Sequence, residues 1–498
     1  MFPWRIWSAA AAIAVIIFSF TLTAAVPVWL DEALIVEYGR VTLAGEAPVY
    51  GFLQRSDSNR PMYSYALIGA VLQEIAYRAT APSNAGPRAV ALLGQLLAFG
   101  WFVYYLRLRG VQTNFSVLLG LAFLTDPLCD ISWRGARIDG WAFAFLFASL
   151  CAIRTARDRP RGDRSASGVV FLSGAAAAAG LLCWPSFAML LPLVALEFGA
   201  LLWKQRRFVL PASLFAAGAV LIAVAIIMPF RREFTYGIAD ARLVTLLRSQ
   251  ASQGAGFGRQ LQALLLSLAQ TPAVAVVGLC ALARKRNRPL MGGFVVALAF
   301  TLGTMVYRLR VLYLVPYLYL AVASLFWPGD QSADCLRWRR AGVWALALLL
   351  STGTAFTVAG TTLSGLTDRS GKNPLALIEP ARSAVGSGPV RVFMEEPDLY
   401  FAGRALGWRQ FHCFDGCASP ELSTPAYQRL LANTDVIIWR GEPDAVTRGV
   451  LEESGFRFAT VMLPEGGRRS ALFDLSYGPP AYGPYFIYRR PGISHASP

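Results

Sequence analysis

Two adjacent carboxylates, Asp31 and Glu32, close an apolar run in PVWLDEALIVEYGR (27–40), and a third, Asp139, opens another in SWRGARIDGWAF. If residues 7–27 cross a bilayer, Asp31 and Glu32 emerge at its outer surface half desolvated, a depth at which ionisable groups mark functional sites. Asp139 begins a run where Asp31 ends one, so both carboxylates fall at one depth and can line one cavity. Capping is the plain alternative, because an Asp at a helix amino terminus satisfies free amides. One such Asp fits capping; two of them with Arg60, Arg134 and Arg137 at matching depth fit a pocket for an anionic ligand.

A carboxylate beside guanidinium groups supplies two halves of one reaction. The carboxylate can take a proton from an acceptor hydroxyl, and the cation can hold a departing phosphate as its charge grows. Arginine suits the second role because it stays charged and grips phosphate oxygens bidentately. The chain's two histidines, His412 and His495, both lie in its last quarter, which excludes histidine acid-base chemistry from the apolar part.

The elements that must position these groups are spans. A mean hydropathy of +0.46 and 55% hydrophobic residues, arranged in many separate runs near bilayer length, make a polytopic membrane protein. The net charge of +16 resides in short clusters between those runs, which encode orientation rather than nucleic-acid binding. The opening 29 residues have a signal-peptide outline, read as an uncleaved first span because further spans follow. Residues 28–86 form a long outer loop in which 62–77 lies along the surface. Runs follow at 87–106, 114–128 and 139–155, and RTARDRPRGDR (154–164) anchors that end in the cytoplasm.

Residues 167–203 make two shorter spans broken near Trp184-Pro185. Residues 208–229 exit again, 231–262 make a second outer loop, and runs at 263–283, 289–306, 311–327 and 341–360 complete the bundle. That gives about eleven spans, amino terminus inside and carboxyl terminus outside, with RKRNR and LRWRR on inner loops. The fold class is therefore a mostly α, polytopic membrane helical bundle, residues 1–364, followed by an extracytoplasmic α/β domain, 365–498. There VRVFME, WRQFHCF, DVIIWR and FRFATVML are strand-like, and PAYQRLLAN and AVTRGVLEES helix-like. Cys413 and Cys417 flank FDG where a disulfide is permitted, while zinc would need more ligands than the one neighbouring histidine adds. No metal ligand set stands out elsewhere; a divalent ion beside Asp31 and Asp139 fits by ligand type alone.

WLDEALIVEY, NRPMYSY and SWRGARIDGWAF, in this order, resemble the GT-C membrane glycosyltransferases of the protein O-mannosyltransferase and aminoarabinose lipid A transferase type. VLYLVPYLYLA (311–321) is similar to a late span of that family. The resemblance implies a polyprenyl-phosphate-linked sugar donor, a lipid, glycan or protein acceptor, and a bacterial inner-membrane location with the carboxyl-terminal domain in the periplasm. It implies Asp31 as catalytic base, Glu32 orienting it or meeting the acceptor, and Asp139 with Arg137 as the second acidic position. Arg60, where many members have lysine, would meet the donor phosphate, with Tyr63 in the same motif; Arg134 joins this cluster, and Arg310 and Tyr313 stand at the mouth of the late span. Pro61-Met62 and Trp184-Pro185 depart from the family pattern, leaving sugar and acceptor unassigned. The alternatives from other classes are a transporter or flippase for a lipid-linked or anionic solute, for which the arginines would form the translocation site, and a non-catalytic assembly protein.

Overall fold

The structure is a computed structural model that describes residues 28, 30–44, 62–160, 164–206, 208–252, 257–303, 308–327, 333–359, 373–412, 425–463 and 482–491. The run at 7–27, Arg60, Pro61, Cys413, Cys417 and His495 lie outside the described residues.

Helix α1 (Leu30–Leu43) carries Asp31 and Glu32 in its first turn, where carboxylates complement the helix dipole. Helix α2 (Leu67–Thr80) packs against it. At 1.5 Å per residue α2 is about 21 Å long, short of the roughly 30 Å of hydrocarbon in a bilayer. After α3 (Ala85–Leu108), the run expected as one span at 114–128 is two pieces, α4 (Thr113–Leu124) and α5 (Pro127–Arg134), bent by 56°. Pro127 cannot continue the preceding helix, and Asp126 caps the new one by accepting from the Leu128 amide at 3.0 Å.

Helix α6 (Asp139–Asp158) begins at the third carboxylate, and α7 (Arg164–Cys183) returns to Trp184-Pro185. The chain breaks there, as the proline predicts, into a 3-10 turn (Pro185–Leu190) and α8 (Leu191–Gln205). Helix α9 (Val209–Ile227) runs through Met228–Phe230 into α10 (Arg231–Ser252). Much of the loop expected over 231–262 is thus helical: residues 231–252 hold no proline and one glycine, so helical backbone continues through their polar side chains.

Helices α11 (Phe257–Leu268) and α12 (Pro272–Leu282) meet at 107° where one span was expected, because the residue before Pro272 avoids helical backbone. Helices α13 (Arg288–Gly303), α14 (Val315–Ala323, inside the apolar segment Leu309–Phe326) and α15 (Ala333–Thr352) complete the bundle. Among the described residues six helices are long and apolar enough to cross a membrane, or eight if each bent pair is one span; the sequence runs had suggested about eleven.

The bundle core is aromatic at its centre, with Phe102, Phe123, Phe147 and Tyr319 in mutual edge or tilted contact. Helices α3 and α6 touch closely: a Cβ at Gly140 would lie 2.6 Å from the Gln95 amide nitrogen. Glycine there lets α6 start against α3 and so sets where Asp139 stands.

Beyond the bundle, α16 (Ile378–Val385), α17 (Tyr400–Leu406), α18 (Pro425–Ala432) and α19 (Ala445–Glu453) accompany a five-stranded sheet. Its strands are β1 (Arg391–Met394), β2 (Arg409–His412), β3 (Val436–Arg440), β4 (Arg457–Met462) and β5 (Tyr485–Arg489), in the order β2-β1-β3-β5-β4. β1 pairs parallel with β2 and β3, and β5 pairs antiparallel with β3 and β4. The four strand-like runs of the sequence are β1 to β4; β5, YFIYR, was not anticipated. One face of this sheet shares its core with α1: Val28, Ala33, Leu34 and Val36 pack with Val392, Met394, Ile438 and Ile487.

Candidate active site

Arg137 joins the two carboxylates that the sequence places apart. Its Nη1 donates to Asp31 Oδ2, while Nε donates to Asp139 Oδ2 at 2.7 Å and Nη2 to Asp139 Oδ1 at 3.2 Å. Ser132 Oγ at 2.7 Å and Tyr313 OH at 2.6 Å also donate to Asp139. The three groups differ in access: the Asp31 side chain is 23% exposed, Arg137 1% and Asp139 0%. Asp139 is therefore an inner anchor, holding Arg137 with a bidentate grip, and Arg137 in turn orients Asp31 at the boundary with solvent.

Asp31 opens into a cavity of about 210 Å³. Arg137 and Trp184 form one wall, with the guanidinium 5.0 Å from the indole ring centre, and Pro185 and Ser186 of the helix break extend it. The stretch 62–65 makes a second wall through Met62, Tyr63, Ser64 and Tyr65. The third comes from α10, where Gly237 and Asp240 face Tyr63: Asp240 Oδ2 accepts from the Tyr63 amide at 2.9 Å, and Tyr236 stacks on the Tyr63 ring at 5.8 Å. A Cβ at Gly237 would sit 2.6 Å from the Ser64 carbonyl carbon, so glycine permits this approach. Arg310, at the start of the late apolar segment, lines the same cavity and brings a cation to it.

Several expected site residues stand elsewhere. Glu32 is fully buried and points away from the cavity, accepting from Arg88 Nε at 3.0 Å, Arg88 Nη2 at 2.9 Å and Asn84 Nδ2 at 2.9 Å. Adjacent helical positions diverge by about 100°, so Asp31 and Glu32 cannot share one face. Of the two roles expected for Glu32, this position fits support of Asp31's helix better than contact with an acceptor in the cavity. Arg134 pairs with Asp130 at 2.9 Å, one turn away on α5, and does not line the cavity. Tyr313 is buried and bound to Asp139, so it positions a carboxylate instead of facing a lipid phosphate. Asp139 itself lies behind Arg137 and not on the cavity wall. Among the described residues no three of His, Cys, Asp or Glu converge to hold a metal ion.

The carboxyl-terminal region also holds α1 in place. Tyr400 OH donates to Glu37 Oε2 at 2.9 Å, and the same carboxylate receives Arg40 at 2.8 Å. Arg404 bridges to Glu74 on α2 at 2.7 Å while lying 4.2 Å from the Tyr77 ring centre. Val28, just before α1, donates its amide to Tyr482 OH at 2.9 Å. In the sheet, the buried His412 ring stands 3.0 Å from the Met394 carbonyl, and burial pushes its pKa down to about 4.

Asp240 and the Tyr400–Glu37 contact had no signal in the sequence, since each rests on a partner more than 170 residues away. No family model matches the chain, and no curated protein does. Solved structures do match. ArnT from Cupriavidus metallidurans in the apo state is similar with a TM-score of 0.55 at 10% identity, covering 97% of each chain. The same enzyme bound to undecaprenyl phosphate gives 0.57 at 12% identity, covering 96% of each. An oligosaccharyltransferase from Archaeoglobus fulgidus gives 0.49 at 12% identity over 88% of this chain and 69% of that one, a likeness on which nothing below depends. Over nearly its whole length the chain thus shares its fold with ArnT, a fold of the type that the order of its motifs implied.

Proposed function

We propose that this protein is an integral-membrane glycosyltransferase that moves a sugar from a polyprenyl-phosphate donor to an acceptor hydroxyl on the periplasmic side of a bacterial inner membrane. The observation that carries this reading is the Asp31–Arg137–Asp139 array, which presents one accessible carboxylate to a cavity that Arg310 also lines. A structure with the same fold, ArnT, was solved with undecaprenyl phosphate bound, which supports a donor of that class.

In this reading Asp31 takes the proton of the acceptor hydroxyl as its oxygen attacks the anomeric carbon. The bond from that carbon to the phosphate oxygen breaks, and the phosphate leaves with the electron pair toward Arg310. Attack and departure occur on opposite faces of the sugar, so the configuration inverts. Arg137 is a positioning residue: two carboxylates share its charge, and Trp184 covers one face of the guanidinium. Glu32 and Asp139 act at one remove, Glu32 by anchoring α1 to Arg88 and Asp139 by fixing Arg137. Arg60, which stands at the position of the family's phosphate-binding lysine, keeps that role by resemblance.

Comparing the envelope glycans and lipid-linked sugars of cells with and without the gene tests the reading. A polymer lacking one sugar residue, together with a surplus of that sugar on polyprenyl phosphate, is the expected result. Unchanged glycans and lipid pools would refute it. The two bent helix pairs favour a transporter as the second reading, since interrupted helices often border transport sites. Their break points, however, are tied to each other: Asp126 accepts from Thr271 at 2.6 Å and is buried.

A further inference from the structure

The bundle has a second charged cavity, about 200 Å³ in volume, at the end opposite the reactive one. Three segments run between the two. Helix α3 carries Arg88, the partner of Glu32, in its first turn and is followed at its far end by Arg109; α6 starts at Asp139 and reaches Arg157 eighteen residues later; the late apolar segment passes from Arg310 to Trp327. Eighteen helical residues separate the cavities by roughly 27 Å, about one hydrocarbon thickness.

Glu197 of α8 stands at the centre of this second site. It accepts from Arg109 at 3.1 Å and from Tyr105 OH at 3.3 Å, with Arg157 at 3.5 Å and Arg154 at 3.6 Å. Arg109 also lies 4.0 Å from the centre of the Trp327 ring, and Arg286 approaches the same ring at 5.3 Å. Three guanidinium groups therefore meet a single carboxylate and a fourth, Arg286, lines the same cavity; among the described residues the further acid nearby, Asp158, pairs with both Arg154 at 3.0 Å and Lys204 at 3.6 Å, so five cations face two carboxylates. The Arg109, Arg154 and Arg157 side chains are only 19 to 27% exposed, so their repulsion is poorly screened by solvent. An anion in the cavity would relieve it.

We propose that this pocket binds the phosphate group of an anionic membrane lipid from the leaflet on that face. Arginine pairs with phosphate bidentately, and a surplus of three positive charges accepts a phosphodiester without stripping Glu197 of its partners. Apart from Asn287 the remaining walls are apolar, Leu193, Leu290 and Leu320 among them, which suits the start of an acyl chain rather than a hydrated ion. Trp203, 82% exposed on α8, and Phe208 just beyond it stand at the same end, where aromatic side chains mark a membrane interface.

Native mass spectrometry of the full-length protein, taken from neutral detergent mixed with phosphatidylglycerol or phosphatidylcholine, tests the assignment independently of any transferase activity. The expected result is about tenfold preferential retention of phosphatidylglycerol, falling to near parity in an Arg157→Gln/Arg286→Gln double variant. Both replaced side chains are partly exposed, and Arg109 and Arg154 remain for Glu197, so the variant should fold; an unchanged thermal midpoint in lipid-free detergent checks this. Arg382→Gln, a surface change far from the pocket, should retain the preference. Equal retention of the two lipids, or an undiminished preference in the double variant, would overturn the proposal. So would inorganic phosphate protecting the protein against heat as well as phosphatidylglycerol at matched ionic strength, since that assigns the pocket to a free anion.

Discussion

Asp31 and Glu32 are consecutive residues with opposite fates. Asp31 is partly exposed at a cavity and held from behind by Arg137; Glu32 is sealed in the protein by Arg88 and Asn84. A helix turning about 100° per residue separates them, so one acid faces the cavity and its neighbour becomes scaffold. The difference teaches that one acid of the DE pair reaches a cavity while its neighbour is the foundation that holds it there.

This contrast can be broken in order of expected effect. Asp31→Asn keeps the volume and removes the proposed base, so the proposed transfer should fall 100-fold or more, on the order of 10²–10⁴, with the thermal midpoint nearly unchanged. A variant that transfers sugar at the normal rate would remove the mechanism. Arg88→Ala should behave the other way, leaving a buried carboxylate unpaired and costing about 3–5 kcal/mol of stability. Denaturant titration would read that loss, and a fully stable variant would mean that Glu32 is not the anchor described.

The sheet offers a pH test. The buried His412 ring resists protonation, while the unfolded chain takes up that proton near pH 6.5. The unfolded state thus binds more protons between about pH 6.5 and 4, and stability should fall as pH drops through that window. The contribution is up to about 3 kcal/mol at 1.36 kcal/mol per pKa unit, and His412→Gln should flatten the corresponding part of the profile. Tyr313→Phe is the mildest change. It removes one of the donors to Asp139, a loss of about 1.5 kcal/mol, and it should slow transfer modestly if Asp139 acts only by fixing Arg137. A drop as large as that of Asp31→Asn would place Tyr313 in the chemistry.

Much of this was legible in the sequence because it is local. The break at Trp184-Pro185 and the strand runs β1 to β4 follow from residues beside them, and the convergence of Asp31 and Asp139 was expected from their places at the edges of apolar runs. Illegible features depend on distant partners or on ambiguous polarity. Helix α10 reads as a polar loop because its charges outnumber its apolar residues at the start, yet it supplies Asp240 and Gly237 to the cavity. Tyr313 reads as a residue at the mouth of the late span, and Arg88 carries no signal at all, until the fold shows which carboxylates they meet.

The bond between Val28 and Tyr482 spans 454 residues, and the one between Glu37 and Tyr400 spans 363. At about 5–20 residues per second, the ribosome makes Asp31's helix well before the strands that cover it. The end of the molecule that holds Asp31 must therefore be the last to mature, and a chain interrupted before β5 would carry α1 without the sheet that packs on it.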